Sequence, residues 1–352
     1  MAAESVPAVP LPWLAAPLQR ALETQTAHAL LIHGPRGVGQ FELGLALGQA
    51  WLCEDTSLPL ALRPCGACAS CRLVRARSHP DLLVLVPDAL REALGWSAAG
   101  DGEEGGDGGS GKKKKPSKDI RVESVRAAVE FAITTSARGR GKVVVAYPAE
   151  RMNVVAANAF LKTLEEPAGV ARFVLCTAAA DALLPTVRSR CQSIPLPVPP
   201  HADAERWLAG QGVVDAAVML GACGGQPDEV LGWRALGVDA GAWRNLPARV
   251  ARGEAAALHG LPMAMVVDML QKLCHDAAAL SCGAPSRYFP DGSVPAGADL
   301  VAILRWSVEL QRVARDAEHP WSVDLSVESL VQQGHEALKT ARSPQGHAAS
   351  SR

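Results

Sequence analysis

Short apolar runs alternate with helical patterns over the first 200 residues of the chain. Five of these runs are four to six residues long without alternation of polar and apolar positions, at 29–32, 82–86, 142–147, 173–177 and 193–196. Such runs predict strands that are buried on both faces of a parallel sheet. Between them, apolar residues recur three and four positions apart, as at Val122, Val125 and Val129. Strands that alternate with helices predict an α/β core with helices on both faces of the sheet.

The pattern becomes helical throughout in the second part of the chain. Short helical stretches punctuated by glycine predict a small helical lid over 201–240. Longer amphipathic patterns predict a helical bundle over 241–340, and the polar residues 341–352 predict a disordered tail. The sequence therefore predicts a core over 1–200, a lid and a C-terminal bundle.

A low-complexity segment interrupts the predicted core. Residues 97–118 are rich in glycine and charge and have almost no apolar content, so they cannot bury enough surface to offset the entropy of the chain. The run Lys112–Lys115 lies in this segment and could contact DNA, but the acidic residues just upstream nearly cancel its charge. We expect a disordered, solvated insertion.

Composition excludes several classes of protein. The chain has 352 residues, of which 48% are apolar and 20% are charged, as in an ordinary globular protein. A net charge of −1 gives no overall attraction to nucleic acid or membrane. No apolar run approaches the roughly 18 residues of a membrane span, and the N-terminal residues lack the pattern of a secretion signal. We expect a cytoplasmic protein with no membrane partner.

The first strand leads into an incomplete phosphate-binding loop. Glycines stand at Gly34, Gly37 and Gly39, and the spacing from the first to the last is that of the Walker pattern. That pattern continues with a lysine for the phosphates and a serine or threonine for magnesium. This chain has Gln40 and Phe41 there instead.

A second nucleotide motif is incomplete as well. The strand at 142–147 stands where an ATPase has an aspartate that holds magnesium and a glutamate that orients the attacking water. Tyr147 and Pro148 occupy those positions, and neither side chain can bind the ion or polarise water. Losses in two independent motifs argue against an active ATPase, and we expect no ATP as cofactor.

The cysteines carry the most specific local signal. Cys53, Cys65, Cys68 and Cys71 form a C-x11-C-x2-C-x2-C pattern. The close spacing allows thiolates of one turn to reach a single ion, and four sulfurs would complete a closed, structural tetrahedral site. The alternatives are free thiols and an iron–sulfur cluster, whose sequence pattern fits less well. We expect structural zinc, and we interpret the other five cysteines of the chain as packing residues.

The sequence resembles the clamp-loader branch of the AAA+ proteins. The similarity lies in the run "NAFLKTLEEP" at 158–167, in "LLPTVRSRCQ" at 183–192 with its "SRC" triplet, in "HPDLLVL" and in the glycine loop and cysteine cluster. Within that branch it is similar to the delta-prime family of bacterial DNA polymerase III. The resemblance covers 28–86 and 119–197 and is only architectural in the helical C-terminal third.

The resemblance implies a non-catalytic stator in a ring of five subunits. Such a subunit does not hydrolyse ATP, and it supplies the arginine of the "SRC" triplet, here Arg190, to the ATP site of a neighbouring gamma/tau subunit. Arg188 would be a candidate helper or would cap a helix. The implied partners are the gamma/tau and delta subunits and, through the assembled complex at the replisome, the sliding clamp and primed DNA. The C-terminal bundle would then form the oligomerisation collar.

Alternatives remain open for individual residues and for the whole chain. Arg190 could be a surface arginine that pairs with a nearby carboxylate. Glu165 and Glu166 have the form of an acid/base pair, but their place at a helix end before Pro167 favours an interface or structural role. For the chain, the rivals are an active P-loop NTPase and a zinc-organised DNA-binding module that uses the cysteine cluster with Lys112–Lys115. The incomplete nucleotide motifs argue against the first rival, and the balanced charge argues against the second.

Overall fold

The computed structural model describes residues 11–96, 116–167, 169–315 and 323–339. The chain divides into two compact units, Met1–Asp203 and Ala204–Arg352. Among the described helices, none is long and apolar enough to cross a membrane.

A five-stranded parallel sheet forms the centre of the first unit, with the strands in the order β2-β3-β4-β1-β5. The strands are β1 (Ala29–His33), β2 (Leu82–Leu85), β3 (Lys142–Ala146), β4 (Ala171–Thr177) and β5 (Gln192–Pro195). In the register of β1, Leu31 lies opposite Leu175 of β4 and Ser193 of β5. Because all strands run the same way, the loops that follow β1, β3 and β4 meet at one edge, where open α/β sheets bind their ligands.

Helices of the first unit connect these strands. They are α1 (Ala15–Thr24), α2 (Gln40–Leu52), α3 (Ala69–Arg75), α4 (Asp88–Arg91), α5 (Val122–Ile133), α6 (Val154–Glu165) and α7 (Pro185–Arg188). Helix α2 lies so close to the sheet that a Cβ atom on Gly44 would be 2.6 Å from the sulfur of Cys176 in β4. Helices α5 and α6 pack with the sheet in one hydrophobic cluster, in which Phe160 and Phe173 meet edge to face with ring centroids 5.3 Å apart.

The second unit is helical. Its helices are α8 (His201–Gly210), which begins just before the division, α9 (Ala216–Ala222), α10 (Pro227–Ala235), α11 (Ala240–Ala251), α12 (Met263–Ser281), α13 (Leu300–Arg315) and α14 (Val323–Leu338). Trp243 at its centre is fully buried and stacks on Phe289 with ring centroids 4.0 Å apart. Asp276 of α12 is also fully buried, and its carboxylate accepts hydrogen bonds from the amides of residues 287–289, which fixes the loop after that helix.

The predicted α/β core with a helical second part is confirmed. Each of the five predicted strands is present within two residues of its expected bounds. Pro167 was expected to stop a helix, and α6 ends at Glu165. The residues that the sequence divides into lid and bundle share one hydrophobic cluster in the structure. The division at residue 240 therefore stays a prediction.

Two predicted disordered segments lie largely outside the described residues. The tail at 341–352 lies wholly outside them, as does the lysine run of the insertion. Of the insertion at 97–118 only 116–118 are described, and the carbonyl of Ser117 there accepts a hydrogen bond of 3.0 Å from the amide of Ala89.

Candidate functional sites: phosphate loop, cysteine cluster and arginine turn

The glycine loop makes the tight turn from β1 into α2. Gly37 and Gly39 have φ angles of 72° and 103°, in the left-handed region that glycine adopts without strain. A Cβ atom on Gly34 would lie 2.0 Å from the carbonyl oxygen of Leu196, which follows β5. The three glycines are therefore required by the backbone geometry itself, whether or not a phosphate binds.

The side chain of Gln40 lies inside this turn. Its exposed fraction is 3%, and its Nε2 donates a hydrogen bond of 2.9 Å to the carbonyl oxygen of Gly34 and a second bond to that of Pro35. A Walker lysine at the same position would extend toward bound phosphates. Gln40 instead joins the two ends of the loop to each other.

Two aromatic rings occupy the positions that would serve magnesium. Phe41 is 4% exposed and stacks on Tyr147, with ring centroids 5.1 Å apart and planes at 24°. Phe41 replaces the hydroxyl residue of the first motif, and Tyr147 stands at an acidic position of the second. The two substitutions found in the sequence are thus in contact, and they form an apolar surface where a divalent cation would need oxygen ligands.

The segment before α1 covers the loop from outside. Trp13 is 9% exposed, and its indole N–H donates a hydrogen bond of 2.8 Å to the carbonyl oxygen of Val38. A Cβ atom on Gly39 would lie 2.7 Å from a methyl group of Leu11. Sequence reasoning missed this contribution, because Trp13 is 25 residues away from Val38 and nothing in its local pattern indicates the contact.

The four cysteines of the second motif come together. Their sulfur atoms all lie within 4.8 Å of one another, with Cys53–Cys68 and Cys65–Cys71 separated by 4.0 Å. Zinc–sulfur bonds of about 2.3 Å would place the sulfurs of a tetrahedron about 3.8 Å apart. The observed cluster is therefore close to the size that a single bound zinc ion requires, and it can hold a metal.

Backbone amides support three of the sulfurs. The amides of Cys65, Cys68 and Cys71 point at the sulfurs of Cys53, Cys65 and Cys68 over 3.5, 3.3 and 3.4 Å. Burial raises the pKa of Cys53 and Cys71, whereas at Cys68 the effect of burial is outweighed by hydrogen bonds, first from the Cys71 amide, that lower its pKa to about 7. Without an ion, two buried thiols are held as neutral groups, and bound metal would bring all four to the thiolate form.

A buried polar chain links the cluster to the sheet. Ser70, next to Cys71, donates to the carbonyl oxygen of Leu52 at 2.6 Å and lies 2.7 Å from Nε2 of His79. The amide of Asp81 donates to Nδ1 of His79 at 3.0 Å, so this ring nitrogen is unprotonated and Nε2 carries the proton. Burial lowers the pKa of His79, in agreement with a neutral ring.

Asp81 extends this connection to the start of β3. Its fully buried carboxylate accepts hydrogen bonds from the amides of Ala137 and Arg138. It also forms an ion pair with Lys142 at 3.1 Å. Burial alone would raise the pKa of this carboxyl, but these donors lower it. Arg138 also pairs with Glu54, beside the first cysteine, at 2.6 Å. The sequence contains the run "HPDLLVL", but only the folded chain reveals that its His79 and Asp81 anchor the cluster.

The arginines of interest are Arg188, the last residue of α7, and Arg190, in the turn that leads to β5. The guanidinium of Arg190 contacts Oε1 of Glu165 through Nε, at 2.5 Å, and also through Nη2, while Nη1 donates to the carbonyl oxygen of Thr186 at 2.8 Å. Arg188 pairs with Asp181 at 2.9 Å. The pairing with a nearby carboxylate, which is the alternative interpretation of Arg190, is present, and the side chain keeps 30% of its surface exposed. Arg190, the cysteine cluster and the glycine loop are thus three separate features of the first unit.

Comparison with known proteins identifies the family of the chain. The sequence profile of a family described as "DNA polymerase III, delta subunit" matches residues 13–200. DNA polymerase III subunit delta-prime of Escherichia coli is 30% identical over 291 residues, which cover 76% of this chain and 78% of that protein. The chain belongs to the DNA polymerase III delta-prime family. The resemblance predicted from the "SRC" triplet and its neighbouring motifs is confirmed.

Other relatives match a smaller part of the chain. The delta-prime subunit of Pseudomonas aeruginosa is 38% identical over 185 residues, so the match covers 53% of this chain and only 48% of that relative. The tau subunit of Salmonella typhimurium is 29% identical over 164 residues, covering 47% of this chain and 21% of that protein.

A solved structure supports the fold alone. The gamma subunit-related protein of Thermotoga maritima superposes with a TM-score of 0.51 at 18% identity, covering 92% of this chain and 99% of that one.

Proposed function

We propose that this chain is a non-catalytic stator subunit of a bacterial replicative clamp loader. In this role it supplies Arg190 in trans to the ATP site of a neighbouring gamma/tau subunit, and so drives loading of the sliding clamp onto primed DNA in the cytoplasm. Its partners would be gamma/tau and delta subunits, with the helical second unit as the surface of assembly. Family membership supports the setting, and the observation that carries the stator role is the phosphate loop filled by the chain's own side chains.

The closed loop argues against ATP binding by the chain itself. Gln40 occupies the turn, Phe41 and Tyr147 stack at the magnesium positions, and Trp13 is bonded to the loop from outside. Bound nucleotide would have to displace several buried groups at once and would find neither the lysine nor the acids that make such binding favourable. The same observation disfavours the rival interpretation as an active NTPase.

Zinc is the ion that we propose for the cysteine cluster. Cys53, Cys65, Cys68 and Cys71 would hold it as four thiolates, which leaves no position for water and makes the site structural. The ion would fix the segment between α2 and β2 as a small module on the edge of the core. In this interpretation the module needs no catalytic role.

Nucleotide binding provides the first test. Calorimetric titration of the isolated chain with Mg·ATP should give no isotherm in the micromolar range, and the chain should not hydrolyse ATP. A clear micromolar isotherm would contradict the closed loop, and turnover above background would contradict the stator role.

The role of Arg190 is tested in a complex reconstituted with gamma/tau and delta subunits. A trans arginine stabilises the charge that develops on the transferred phosphoryl group, and such residues contribute roughly 10³–10⁵ in rate in GTPases. Since a clamp loader has several ATP sites, we expect Arg190→Ala to reduce DNA-stimulated hydrolysis and clamp loading by less than that, on the order of tenfold. Folding, metal content and assembly should stay intact.

Arg188→Ala is compared in the same experiment, because Arg188 lies two residues away and also forms an exposed ion pair. A smaller loss than that of Arg190→Ala would support the helper role, and wild-type loading would leave Arg188 a structural residue. Arg190→Lys should rescue little, since an ammonium keeps the charge and loses the planar fork. Wild-type loading by the Arg190→Ala complex would make this arginine structural and remove the trans-acting role.

A further inference from the structure

Glu165 makes an asymmetric contact with Arg190. The carboxylate stands at the last residue of α6, and a single oxygen of it, Oε1, accepts from both Nε and Nη2 of the arginine. On the other side, Nη1 donates to the carbonyl oxygen of Thr186 in α7. The guanidinium is therefore held between the ends of two helices, α6 and α7. Arg190 and Glu165 are 25 residues apart in sequence.

The contacts leave part of the guanidinium available. An arginine has five N–H groups. One on Nε, one on Nη2 and one on Nη1 are engaged in the contacts above. One N–H on Nη2 remains, and the second N–H on Nη1 makes only a long hydrogen bond of 3.5 Å to the hydroxyl of Ser189, which a phosphate oxygen could replace. Two donors on one planar group suit the bidentate recognition of a phosphate.

The ion pair between Glu165 and Arg190 should contribute little to the stability of the fold. The side chains of Arg190 and Glu165 are 30% and 47% exposed, and ion pairs of such exposure contribute little to stability. Their effect on orientation is larger, because an arginine that is free in solvent samples many rotamers and loses that freedom when it binds. A pair that fixes the rotamer beforehand removes this cost from the step in which the arginine acts.

We propose that Glu165 is a positioning residue for Arg190. It holds the guanidinium by Nε and Nη2, so that the remaining N–H donors are presented to a phosphate group on a neighbouring subunit. This inference rests on the proposed trans-acting role of Arg190. It gives Glu165 of the "LEEP" run a specific task in place of the acid/base role that its position next to Glu166 would suggest.

Glu166 provides a matched control. It is the next residue, it is also exposed, and among the described residues it has no ion-pair partner. Removing either carboxylate changes the net charge of this helix end by the same amount. A difference between the two variants therefore reports the contact with Arg190 rather than the general electrostatic field.

The experiment compares complexes reconstituted with wild-type, Glu165→Ala, Glu165→Gln, Glu166→Ala, Arg190→Ala or doubly substituted Glu165→Ala/Arg190→Ala protein, at equal assembly. We expect Glu165→Ala to slow DNA-stimulated ATP hydrolysis by about fivefold, since misplacement of a catalytic group costs up to roughly 10² in rate. Glu165→Gln should recover part of this loss, because the amide oxygen still accepts from the guanidinium. Glu166→Ala should resemble wild type.

The double variant separates positioning from an independent role. If Glu165 acts through Arg190, the double variant should be no slower than Arg190→Ala alone. Additive losses, or wild-type rates for Glu165→Ala beside a slow Arg190→Ala complex, would overturn the positioning role and leave the proposed function standing. Wild-type rates for Arg190→Ala would instead remove the proposed function itself. The melting temperature of the isolated Glu165→Ala chain should match wild type, since a purely structural role would lower it.

Discussion

The phosphate loop and the cysteine cluster lie at the two ends of the same helix, α2. Each region keeps a different part of its own sequence motif. In the loop the glycines that set the turn are present. The lysine and the hydroxyl residue of the motif are replaced by Gln40 and Phe41, whose side chains fill the space. In the cluster all four ligand atoms are present and face one another within 4.8 Å. The glycines of the loop thus serve the fold whether or not phosphate binds, whereas the arrangement of the four sulfurs suits a shared metal ion.

This difference predicts where each region obtains its stability. The loop is held by buried side-chain packing and hydrogen bonds within the chain, so its stability should not depend on any ligand. The segment between α2 and β2 that carries the cluster buries few apolar side chains, Val74 among them, and leaves Leu60 and Leu62 exposed, so its stability should depend on the ion. Substitutions in the two regions can therefore test the comparison directly.

The largest effect is expected at the cluster. Cys71→Ser, or removal of the ion by a chelator, should release about one equivalent of zinc and lower the melting temperature by roughly 10 °C or more. Structural zinc contributes about 10–16 kcal/mol in small modules, and about a third of that would suffice, since 1 kcal/mol shifts the melting temperature by about 2–4 °C in domains of about 150–250 residues, the size class of the first unit. Metal analysis and thermal melts provide the measurement.

Cys282→Ser is the control for the thiol itself, because Cys282 is the exposed cysteine at the end of α12. It should change neither the metal content nor the melting temperature. Iron in the purified protein would contradict zinc as the ion, and melts unaffected by chelation would make the cluster a packing feature like the loop.

The next effect concerns packing in the phosphate loop. Phe41→Ala removes a ring that is 4% exposed and stacked on Tyr147, and such truncations cost about 3–5 kcal/mol. Urea unfolding should show this loss with the metal content unchanged. Val155→Ala, at a side chain that is 60% exposed, should stay within about 0.5 kcal/mol of wild type. A loss below about 1 kcal/mol for Phe41→Ala would mean that the loop is not closed by packing.

A smaller loss is expected when the amide inside the loop is removed. Gln40→Ala removes this donor from the carbonyl oxygens of Gly34, which is half-buried, and Pro35, which is exposed, and each such hydrogen bond contributes about 0.5–1.5 kcal/mol net. The free energy of unfolding measures this loss. Gln19→Ala is a suitable control, because Gln19 forms a single exposed hydrogen bond, to Glu23. If added Mg·ATP restored the stability of Gln40→Ala protein, the cavity would be a nucleotide site and the comparison with the cluster would fail.

Local sequence signals predict most of the fold and the clustering of the four cysteines, but not the contacts that close and anchor the sites. Apolar runs and glycine spacing are properties of neighbouring residues, so the strands and the loop at Gly39 can be recognised directly. The hydrogen bond from Trp13 to Val38 and the ion pair of Arg138 with Glu54 join residues 25 and 84 positions apart. Such pairs leave no periodic pattern, because they depend on which strands become neighbours in the sheet.

The smallest expected effect is a pH dependence at His79, which joins the cluster to the sheet. The ring accepts from the Asp81 amide through Nδ1 and contacts Ser70 through Nε2, so it fits only as the neutral form, and burial lowers its pKa. In the unfolded chain it would take up a proton near pH 6.5. Its contribution to stability is therefore complete above that pH and is lost as the pH falls from 6.5 toward the lower pKa of the folded state.

The free energy of unfolding of the zinc-loaded chain should thus fall between pH 7.5 and 6. In His79→Gln protein this part of the fall should be absent. The difference should be below about 1 kcal/mol at pH 6, because at most one proton with an unfolded pKa of 6.5 is involved. Metal content must be checked at each pH, since protonation of the thiolates would release zinc and produce a larger loss of its own. His259→Gln, at a histidine that is 38% exposed, should retain the wild-type dependence. Equal pH dependence in wild-type and His79→Gln protein would show that the contacts of His79 with Ser70 and Asp81 tolerate a protonated ring. The stability of the cluster would then depend on the ion alone.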